Sequence, residues 1–279
     1  MQPLDPTVTI PIFLSYILIS AVSVIFLYKK RLSKKLSIIV LLAAVVVPDF
    51  ILGLAAHPAF NLQQIFINLF TISQAPVVPQ QLLMLTVIML VISGVFIVST
   101  IFFGRLFCWY ACPLGAAQEV IFKLRVADKP TKTKYKLDIP PKYTTIIRIS
   151  IFALMVILAL IWGLSLFIIN PFIAFGVFTA SDLTLLLIPL ILLGVILVAS
   201  VFTYRPWCRL LCPFGTMAWL TSRFSRFKIR RNENCTDCKL CEKICPTSEA
   251  FTDSTKAECY LCNLCVDNCP ANALEFRKK

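Results

Sequence analysis

The sequence holds little charge and almost no histidine. Only 15% of its 279 residues are charged, and His57 is the single histidine. A haem ligated by two histidines is therefore excluded. Lysine and arginine are absent before residue 29, between residues 35 and 105, and between residues 148 and 205. Because the sequence shows no basic face with interleaved aromatic residues, we do not expect nucleic-acid binding.

The chain is instead rich in apolar residues. Hydrophobic residues make up 58% of it and the mean hydropathy is +0.84, values typical of a protein with several membrane spans. Apolar stretches of about 20 residues fit a hydrocarbon core of about 30 Å. Five such stretches predict five transmembrane helices, at residues 10–28, 36–56, 82–103, 144–164 and 183–203.

The basic residues indicate how these spans are oriented. The chain carries 27 basic and 14 acidic residues, a net charge of +13, and the basic residues cluster between the spans. Positive residues accumulate in the cytoplasmic loops of membrane proteins. We therefore expect a multi-pass protein of the cell membrane with its N-terminus outside and its C-terminal end in the cytoplasm. Residues 58–80 and 170–182, which hold no basic residue, are then expected as outer loops, with a short interfacial helix as an alternative for part of the first.

Eight of the twelve cysteines form two runs of C-x2-C-x2-C-x3-C-P near the C-terminus. In this spacing three thiolates bind one cubane and the fourth binds the neighbouring cluster. Structural zinc sites usually show two separated C-x2-C pairs, and disulfide frameworks belong to small secreted domains. The runs thus predict two [4Fe-4S] clusters and resemble those of bacterial two-cluster ferredoxins. The expected ligands are Cys235, Cys238, Cys241 and Cys269 for cluster one, and Cys259, Cys262, Cys265 and Cys245 for cluster two.

The other four cysteines belong to a motif that occurs twice. G-R-L-F-C-W-Y-A-C-P-L-G begins at Gly104, and Y-R-P-W-C-R-L-L-C-P-F-G begins at Tyr204. A shift of one hundred residues aligns Arg105 with Arg205, both cysteines of each copy, Pro113 with Pro213, and Gly115 with Gly215. Each copy follows a predicted span, so we expect parallel repeats related by an axis along the membrane normal. The cysteines of each copy are four residues apart and are expected on one helical face, which the proline then ends.

Three interpretations are open for the motif cysteines, which are Cys108, Cys112, Cys208 and Cys212. They are small buried hydrophobic residues, two redox-active dithiols, or the ligands of a third iron-sulfur cluster at the pseudo-twofold axis. The dithiol interpretation requires an exposed, electropositive setting in which Arg105 and Arg205 lower the thiol pKa values. The third cluster is favoured, because four thiolates that meet at one axis are enough to hold it.

The sequence from residue 82 to residue 279 resembles a known family. Paired G-R-x-F-C-x3-C-P-x-G-type motifs before a two-cluster ferredoxin end are similar to the NapH-type membrane ferredoxins, which are related to the membrane parts of NosR-like and polyferredoxin proteins. The resemblance implies quinol oxidation and onward electron transfer through iron-sulfur subunits, with the motif cysteines at the functional site. Two features depart from that family: Tyr204 stands where the first copy has Gly104, and we count five spans where four are expected.

Because all twelve cysteines are expected at or beyond the inner membrane face, a quinone site is expected beside Cys108 and Cys208. Its wall candidates are Arg105, Trp109, Tyr110 and Trp207, although such aromatic residues also form interfacial belts. Asp49 lies within span two, where a carboxylate is either a functional group or the cap of a broken helix. His57 lies in the first outer loop, where we expect a solvated side chain.

The sequence predicts an all-α polytopic membrane domain at residues 1–227 and a small α+β two-[4Fe-4S] ferredoxin-like domain at residues 228–279. The expected function is that of an electron-transfer subunit between the quinone pool and a redox partner, such as another iron-sulfur subunit of a membrane complex. Its enzymatic chemistry would not extend beyond quinone. One alternative is a redox maturation or regulatory factor that uses the motif dithiols. A transporter-like protein is a further alternative, but the spans lack the charged interior residues that transport pathways need.

Overall fold

A computed structural model describes residues 6–28, 34–45, 57–126, 139–163, 171–178 and 183–278. The helices of its larger part are α1 (Pro6–Tyr28), α2 (Lys34–Val45), α3 (Pro58–Gln74), α4 (Gln80–Phe103), α5 (Leu106–Tyr110), α6 (Pro113–Val126), α7 (Pro141–Trp162), α8 (Leu183–Phe202) and α9 (Pro213–Ser222). A 3-10 helix, Pro171–Phe178, precedes α8, and a π-helical turn, Trp207–Leu211, precedes α9. The smaller C-terminal part consists of β1 (Phe227–Arg231), α10 (Leu240–Ile244), α11 (Leu264–Asp267) and β2 (Leu274–Lys278).

Two of the described helices, α4 and α7, are long and apolar enough to cross a membrane. Their 24 and 22 residues exceed the roughly 20 that a hydrocarbon core of about 30 Å requires. Shorter apolar stretches lie in α1, over Phe13–Tyr28, and in α8, over Leu186–Phe202. The second predicted span is described only as α2, and Asp49 lies outside the described residues.

Prolines and glycines set the ends of several helices. A new helix begins at Pro113 and at Pro213, because proline lacks the N–H that would continue the preceding turn. Helix α7 begins at Pro141 and ends at Gly163, whose left-handed conformation is a common C-cap. The expectation that the motif proline ends the preceding helix matches this geometry.

The motif cysteines, however, do not share a regular α-helical face. Cys108 lies in α5, but Cys112 follows that helix after a turn residue. The amide N–H of Cys112 donates to the Phe107 carbonyl at 2.9 Å, and that of Cys212 donates to the Trp207 carbonyl at 3.0 Å. Both bonds reach five residues back, as in a π-helix, because the proline that follows interrupts the α-helical ladder. The two cysteines of each copy are therefore separated by one wide turn.

The first predicted outer loop forms a helix, which is the alternative considered for this stretch, and the helix packs into the bundle instead of standing apart as a loop. Helix α3 contacts α4, α7 and α9. Its polar residues Asn61, Gln64 and Asn68 are buried, and the Asn68 amide donates to the Thr86 hydroxyl at 3.1 Å. They are spaced three and four residues apart and so share one face of the helix. This spacing is visible in the sequence and indicates a helix with one polar face that is turned toward the bundle.

The C-terminal part closes as a two-stranded antiparallel sheet in which Phe227 pairs with Lys278 and Ile229 with Phe276. It packs on the helical part at the end of α4. The ring of Phe227 stacks on Phe103 with 5.6 Å between centroids, and the Arg226 amide donates to the Ile101 carbonyl at 3.0 Å. The two parts therefore share one continuous core.

Candidate iron-sulfur sites

The eight C-terminal cysteines line two separate cavities. One is lined by Cys235, Cys238, Cys241 and Cys269, and the other by Cys245, Cys259, Cys262 and Cys265. These are the same two groups of four as in the crossed pairing expected from the sequence. Each group supplies the four thiolates that a [4Fe-4S] cluster requires. No three ligand side chains in the described parts of the chain converge as they would around a single metal ion.

The backbone around the two groups repeats at an offset of 24 residues. Ser248 and Asn272, three residues after the last cysteine of each run, both have positive φ. In each run the amide N–H of the next residue donates to that last cysteine's Sγ at 3.3 Å, at Cys245 and at Cys269. Hydrogen bonds to ligand sulfurs are among the features that set cluster potentials. Both groups therefore fit the cluster in the same local way.

The two groups differ in what they face. Cys238 is exposed, as are its neighbours Asp237 and Lys239, so the first group opens to solvent. In the second group, Tyr260 and Leu261 lie between Cys259 and Cys262 in the sequence and are buried. The second group therefore points its loop at the helical part.

The four motif cysteines are gathered in the interior of the helical part. Cys108, Cys112 and Cys208 are 5% exposed and Cys212 is 9% exposed. The thiol of Cys112 lies close enough to the other three to interact with them electrostatically, and that of Cys212 interacts with Cys108 and Cys208. We call these four residues the central cysteine site.

The exposed setting that the dithiol interpretation requires is wrong for this site. Burial raises the pKa of the Cys108 thiol to about 12, and the nearby charges of Arg105 and Arg205 do not overcome that effect. A neutral buried thiol is a poor nucleophile. A coordinated thiol is deprotonated by its metal, so the same burial is compatible with a ligand role.

Two glycines allow the backbone within each motif copy to fold back closely on its first cysteine. A Cβ atom on Gly215 would lie 2.6 Å from the Cys208 carbonyl oxygen, and a Cβ on Gly115 would lie closer still to the Cys108 carbonyl oxygen. The same glycines donate their amide N–H groups to Sγ of Cys212 at 3.3 Å and of Cys112 at 3.4 Å. Only a residue without a side chain brings these amides to the sulfurs.

The motif arginines brace the two copies against each other. Arg205 donates to the carbonyl of Cys108 at 2.7 Å, and Arg105 donates to the carbonyl of Gly215 at 3.1 Å. Each arginine thus bonds the backbone of the opposite copy. Arg205 also pairs with the buried carboxylate of Glu119 at 3.0 Å. Both guanidinium groups therefore lie beside the central cysteines, and Glu119 is the buried counterion of Arg205.

Tyr260 of the C-terminal part is held between these arginines. The Arg105 and Arg205 guanidinium carbons lie 4.7 Å and 4.8 Å from the centroid of its ring. Arg105 also donates a hydrogen bond to the Tyr260 hydroxyl, which in turn donates to the Cys208 carbonyl at 3.4 Å. The loop of the second ferredoxin group is thereby docked on the central cysteine site.

Glu258, the residue before Cys259, anchors the same loop. It is paired with Arg148 of α7 and, at 3.3 Å, with Arg209. Burial by itself would raise the pKa of Glu258, but Arg148, Arg105 and Arg209 hold it below its usual value. The carboxylate is therefore charged and fully compensated within the interior.

Comparison with known proteins agrees with iron-sulfur chemistry at the repeated motif. A family described as a 4Fe-4S binding domain matches the chain twice, over residues 85–132 and 185–232. The first match contains Cys108 and Cys112, and the second contains Cys208 and Cys212. Neither match reaches Cys235.

Several curated proteins are similar to the chain over more than half of its length. "Uncharacterized protein MJ0750" of Methanocaldococcus jannaschii is 32% identical over 187 residues, which cover 65% of this chain and 76% of that protein. The chain belongs to the same family as MJ0750. "Putative electron transport protein YccM" of Escherichia coli (strain K12) is 32% identical over 195 residues, which cover 65% of the chain and 53% of YccM.

A further relative is a ferredoxin-type protein. "Methylamine utilization ferredoxin-type protein MauN" of Methylobacillus flagellatus is 25% identical over 164 residues, covering 55% of the chain and 53% of MauN. The chain thus spans about half the length of YccM and of MauN. No solved structure matches the chain. Together with the two domain matches, these relatives show that the chain is an iron-sulfur, ferredoxin-like electron-transfer protein.

The residues expected around a quinone are buried in this family member. Arg105, Trp109 and Tyr110 are fully buried, and Trp207 is nearly so. The indole of Trp109 lies against Tyr110 and beneath the ammonium group of Lys123. An interfacial belt would leave these rings at a lipid-facing surface, so the belt interpretation is wrong for them. Of these residues, Arg105 reaches the central cysteine site, where it bonds the Gly215 carbonyl, whereas Tyr110 lies within electrostatic range of Cys262 in the second ferredoxin group.

His57 and Gln118 reach cysteine sulfurs that sequence reasoning had not connected to them. His57 was expected to be solvated in an outer loop, far from the motif, but it is buried and its Nε2 lies 3.4 Å from Sγ of Cys112. Burial lowers the His57 pKa to about 3, so the ring is neutral. Gln118 donates to Sγ of Cys208 at 3.5 Å. Only folding could reveal these contacts, which join residues 55 and 90 positions apart.

Proposed function

We propose that this protein is a membrane-bound electron-transfer subunit with three [4Fe-4S] clusters, linking the quinone pool to a redox partner. The central cysteine site would hold one cluster and the C-terminal groups one each, with 1–227 and 228–279 as the two domains. The clusters supply one-electron transfer. The protein's own cysteines would bind all three clusters, and the buried surroundings of the central cysteine site would exclude water from the cluster there.

One observation carries the third cluster. Four buried cysteines from two distant segments meet at one place, and each of those segments matches a 4Fe-4S binding domain. Cysteines that are merely small hydrophobic residues need no amide donors at their sulfurs. Here Gly115 and Gly215 supply them.

The docking of Tyr260 supports an order of sites. Tyr260 follows Cys259 of the second group and contacts the Cys208 carbonyl. The first group lies on the solvent side, with Cys238 exposed. We infer that electrons pass between the central cysteine site and the second group, and between the second group and the first group. A water-soluble or membrane-bound redox subunit would dock at the first group.

The membrane location is supported by the outer faces of α4 and α7. Val91, Val95 and Val98 on α4, and Ile157 on α7, are exposed apolar side chains. Contiguous exposed apolar side chains along a long helix are rare on soluble monomers and are compatible with contact with lipid. The clustered basic residues support an N-terminus outside the cell membrane and the C-terminal part in the cytoplasm.

The link to quinone rests on the resemblance to NapH-type proteins. Because the wall candidates are buried side chains, a quinone would approach this region from lipid rather than touch the central cysteines directly. Photo-crosslinking with an azido-quinone tests this: labelling of peptides next to residues 104–112 or 204–212 supports the link. Labelling confined to the C-terminal part contradicts it.

The cluster assignment is tested on anaerobically purified protein. We expect about twelve iron atoms per chain, and about eight after Cys108→Ser or Cys208→Ser, since each [4Fe-4S] cluster holds four. Low-temperature EPR should show loss of one signal while the two ferredoxin signals stay. Cys262→Ser is the matched control and should remove a different signal. About eight iron atoms in the wild type, together with titratable thiols at Cys108 and Cys212, would contradict the third cluster.

A further inference from the structure

We propose that His57 and Gln118 set the reduction potential of the central cysteine site by donating N–H groups to the sulfurs of Cys112 and Cys208. This inference rests on the proposed third cluster. Neither residue is a ligand, so both act as positioning residues through the cysteines they touch.

The contacts of His57 determine which of its ring nitrogens carries the proton. Its Nδ1 accepts the amide N–H of Ala59 at 3.3 Å, as the N-cap of α3. In a neutral imidazole the other nitrogen, Nε2, then carries the hydrogen. That nitrogen lies 3.4 Å from Sγ of Cys112, so the sulfur is the acceptor. The ring is held by Phe172, with 4.0 Å between centroids, and by Phe107.

The orientation of the Gln118 amide is fixed in the same manner. Its Oε1 accepts the backbone N–H of Trp207 at 3.2 Å. The nitrogen must therefore be on the opposite side, where it donates to the Leu114 carbonyl at 3.0 Å and to Sγ of Cys208 at 3.5 Å. In both residues a backbone N–H occupies the acceptor atom and turns the donor atom toward a cysteine.

These side-chain donors make the two copies of the motif unequal. At the offset of one hundred residues, the position of Gln118 is taken by Ala218, which has no donor. Within the described ranges, no side-chain donor reaches the sulfur of Cys108 or of Cys212, and the sulfur of Cys212 interacts with the backbone amides of Gly215 and Phe214. A role in helix capping or core filling would not require His57 to aim its remaining N–H at a sulfur.

The physical effect has a definite sign. A hydrogen-bond donor stabilises sulfur more strongly in the reduced, more negative state of a cluster, so it raises the reduction potential. Removing either donor should lower the potential of the central site alone. The two ferredoxin groups lie beyond Tyr260 and should not respond.

Redox titration followed by EPR tests the inference. The central signal is first identified as the one lost in Cys108→Ser. Two variants remove the donors: His57→Asn keeps an N-cap acceptor but is too short to reach Cys112, and Gln118→Met has no N–H group. We expect each variant to shift the midpoint potential of the central signal to more negative values at unchanged iron content. Asn68→Ala is the matched control, since Asn68 is a buried polar residue of α3 that bonds Thr86 instead of a cysteine. In this variant the midpoint potential of the central signal should stay at the wild-type value. Unchanged midpoints in both donor variants, at full iron content, would overturn the inference and leave the third cluster standing.

A second measurement needs no substitution at the site. Because His57 is the only histidine, ¹⁵N-histidine labels this residue alone in protein purified with a tag that lacks histidine. Pulsed EPR on the central signal should detect a weak ¹⁵N coupling transmitted through the N–H···S contact. Its absence refutes the role of His57 even if His57→Asn fails to fold. If the wild type binds only about eight iron atoms per chain, the third cluster of the proposed function fails, which is a different result.

Discussion

Replacement of Gly215 by alanine should selectively damage the central cysteine site. The new Cβ would lie 2.6 Å from the Cys208 carbonyl oxygen, whereas ordinary contact begins at 3.4 Å. The backbone must therefore open by about 0.8 Å, the difference between 3.4 and 2.6. Overpacking of this kind costs about 1–3 kcal/mol. The shift also moves the Gly215 amide away from Sγ of Cys212. Gly115→Ala should act more strongly, since its Cβ would lie closer to the Cys108 carbonyl.

Matched controls come from glycines with free space around them. A Cβ on Gly94 in α4 or Gly194 in α8 meets no atom within 4 Å. Alanine there should be neutral or stabilising by up to about 1 kcal/mol, because it favours the helix. The assay is iron per chain together with EPR: Gly215→Ala should lose part, and Gly115→Ala nearly all, of the central signal while both ferredoxin signals persist. Full iron and an unchanged spectrum in Gly115→Ala would refute the close approach at the motif.

Two further predictions concern the docking of the C-terminal part. Glu258→Gln leaves two buried arginines without a countercharge and should cost about 3–5 kcal/mol, seen as a lower midpoint of thermal unfolding in detergent. Asp237→Asn, which removes the ion pair of the exposed Asp237 carboxylate with Arg231 at 3.1 Å, should change stability by about 0–1 kcal/mol. Equal effects of Glu258→Gln and Asp237→Asn would contradict the buried network. Tyr260→Phe removes the hydroxyl partner of Arg105 and should cost about 1–3 kcal/mol without loss of iron. If Tyr260→Phe instead matches the wild type in thermal stability, the loop is not held by that bond.

Much of the C-terminal part was predictable from cysteine spacing alone. Three cysteines at intervals of three residues can reach only one nearby centre, so the grouping of Cys235, Cys238 and Cys241 follows from local geometry, whereas Cys269 is assigned to them by the known crossed pattern of the motif. The starts of α6 and α9 were equally local, because proline cannot extend a helix beyond its first turn. The buried face of α3 was also present in the sequence, as the spacing of Asn61, Gln64 and Asn68.

The sequence by itself therefore determined the cysteine spacing of the cluster-binding motifs, the recurrence of the C-x3-C-P segment and the long apolar stretches of α4 and α7, since each is a pattern along the chain that requires no packing. Only the tertiary structure decided that His57 meets Cys112, that each motif arginine bonds the opposite copy, and that Tyr260 lies between them. These contacts join residues from 55 to 155 positions apart. Local spacing carries no information about such pairs, because they depend on how the helices pack.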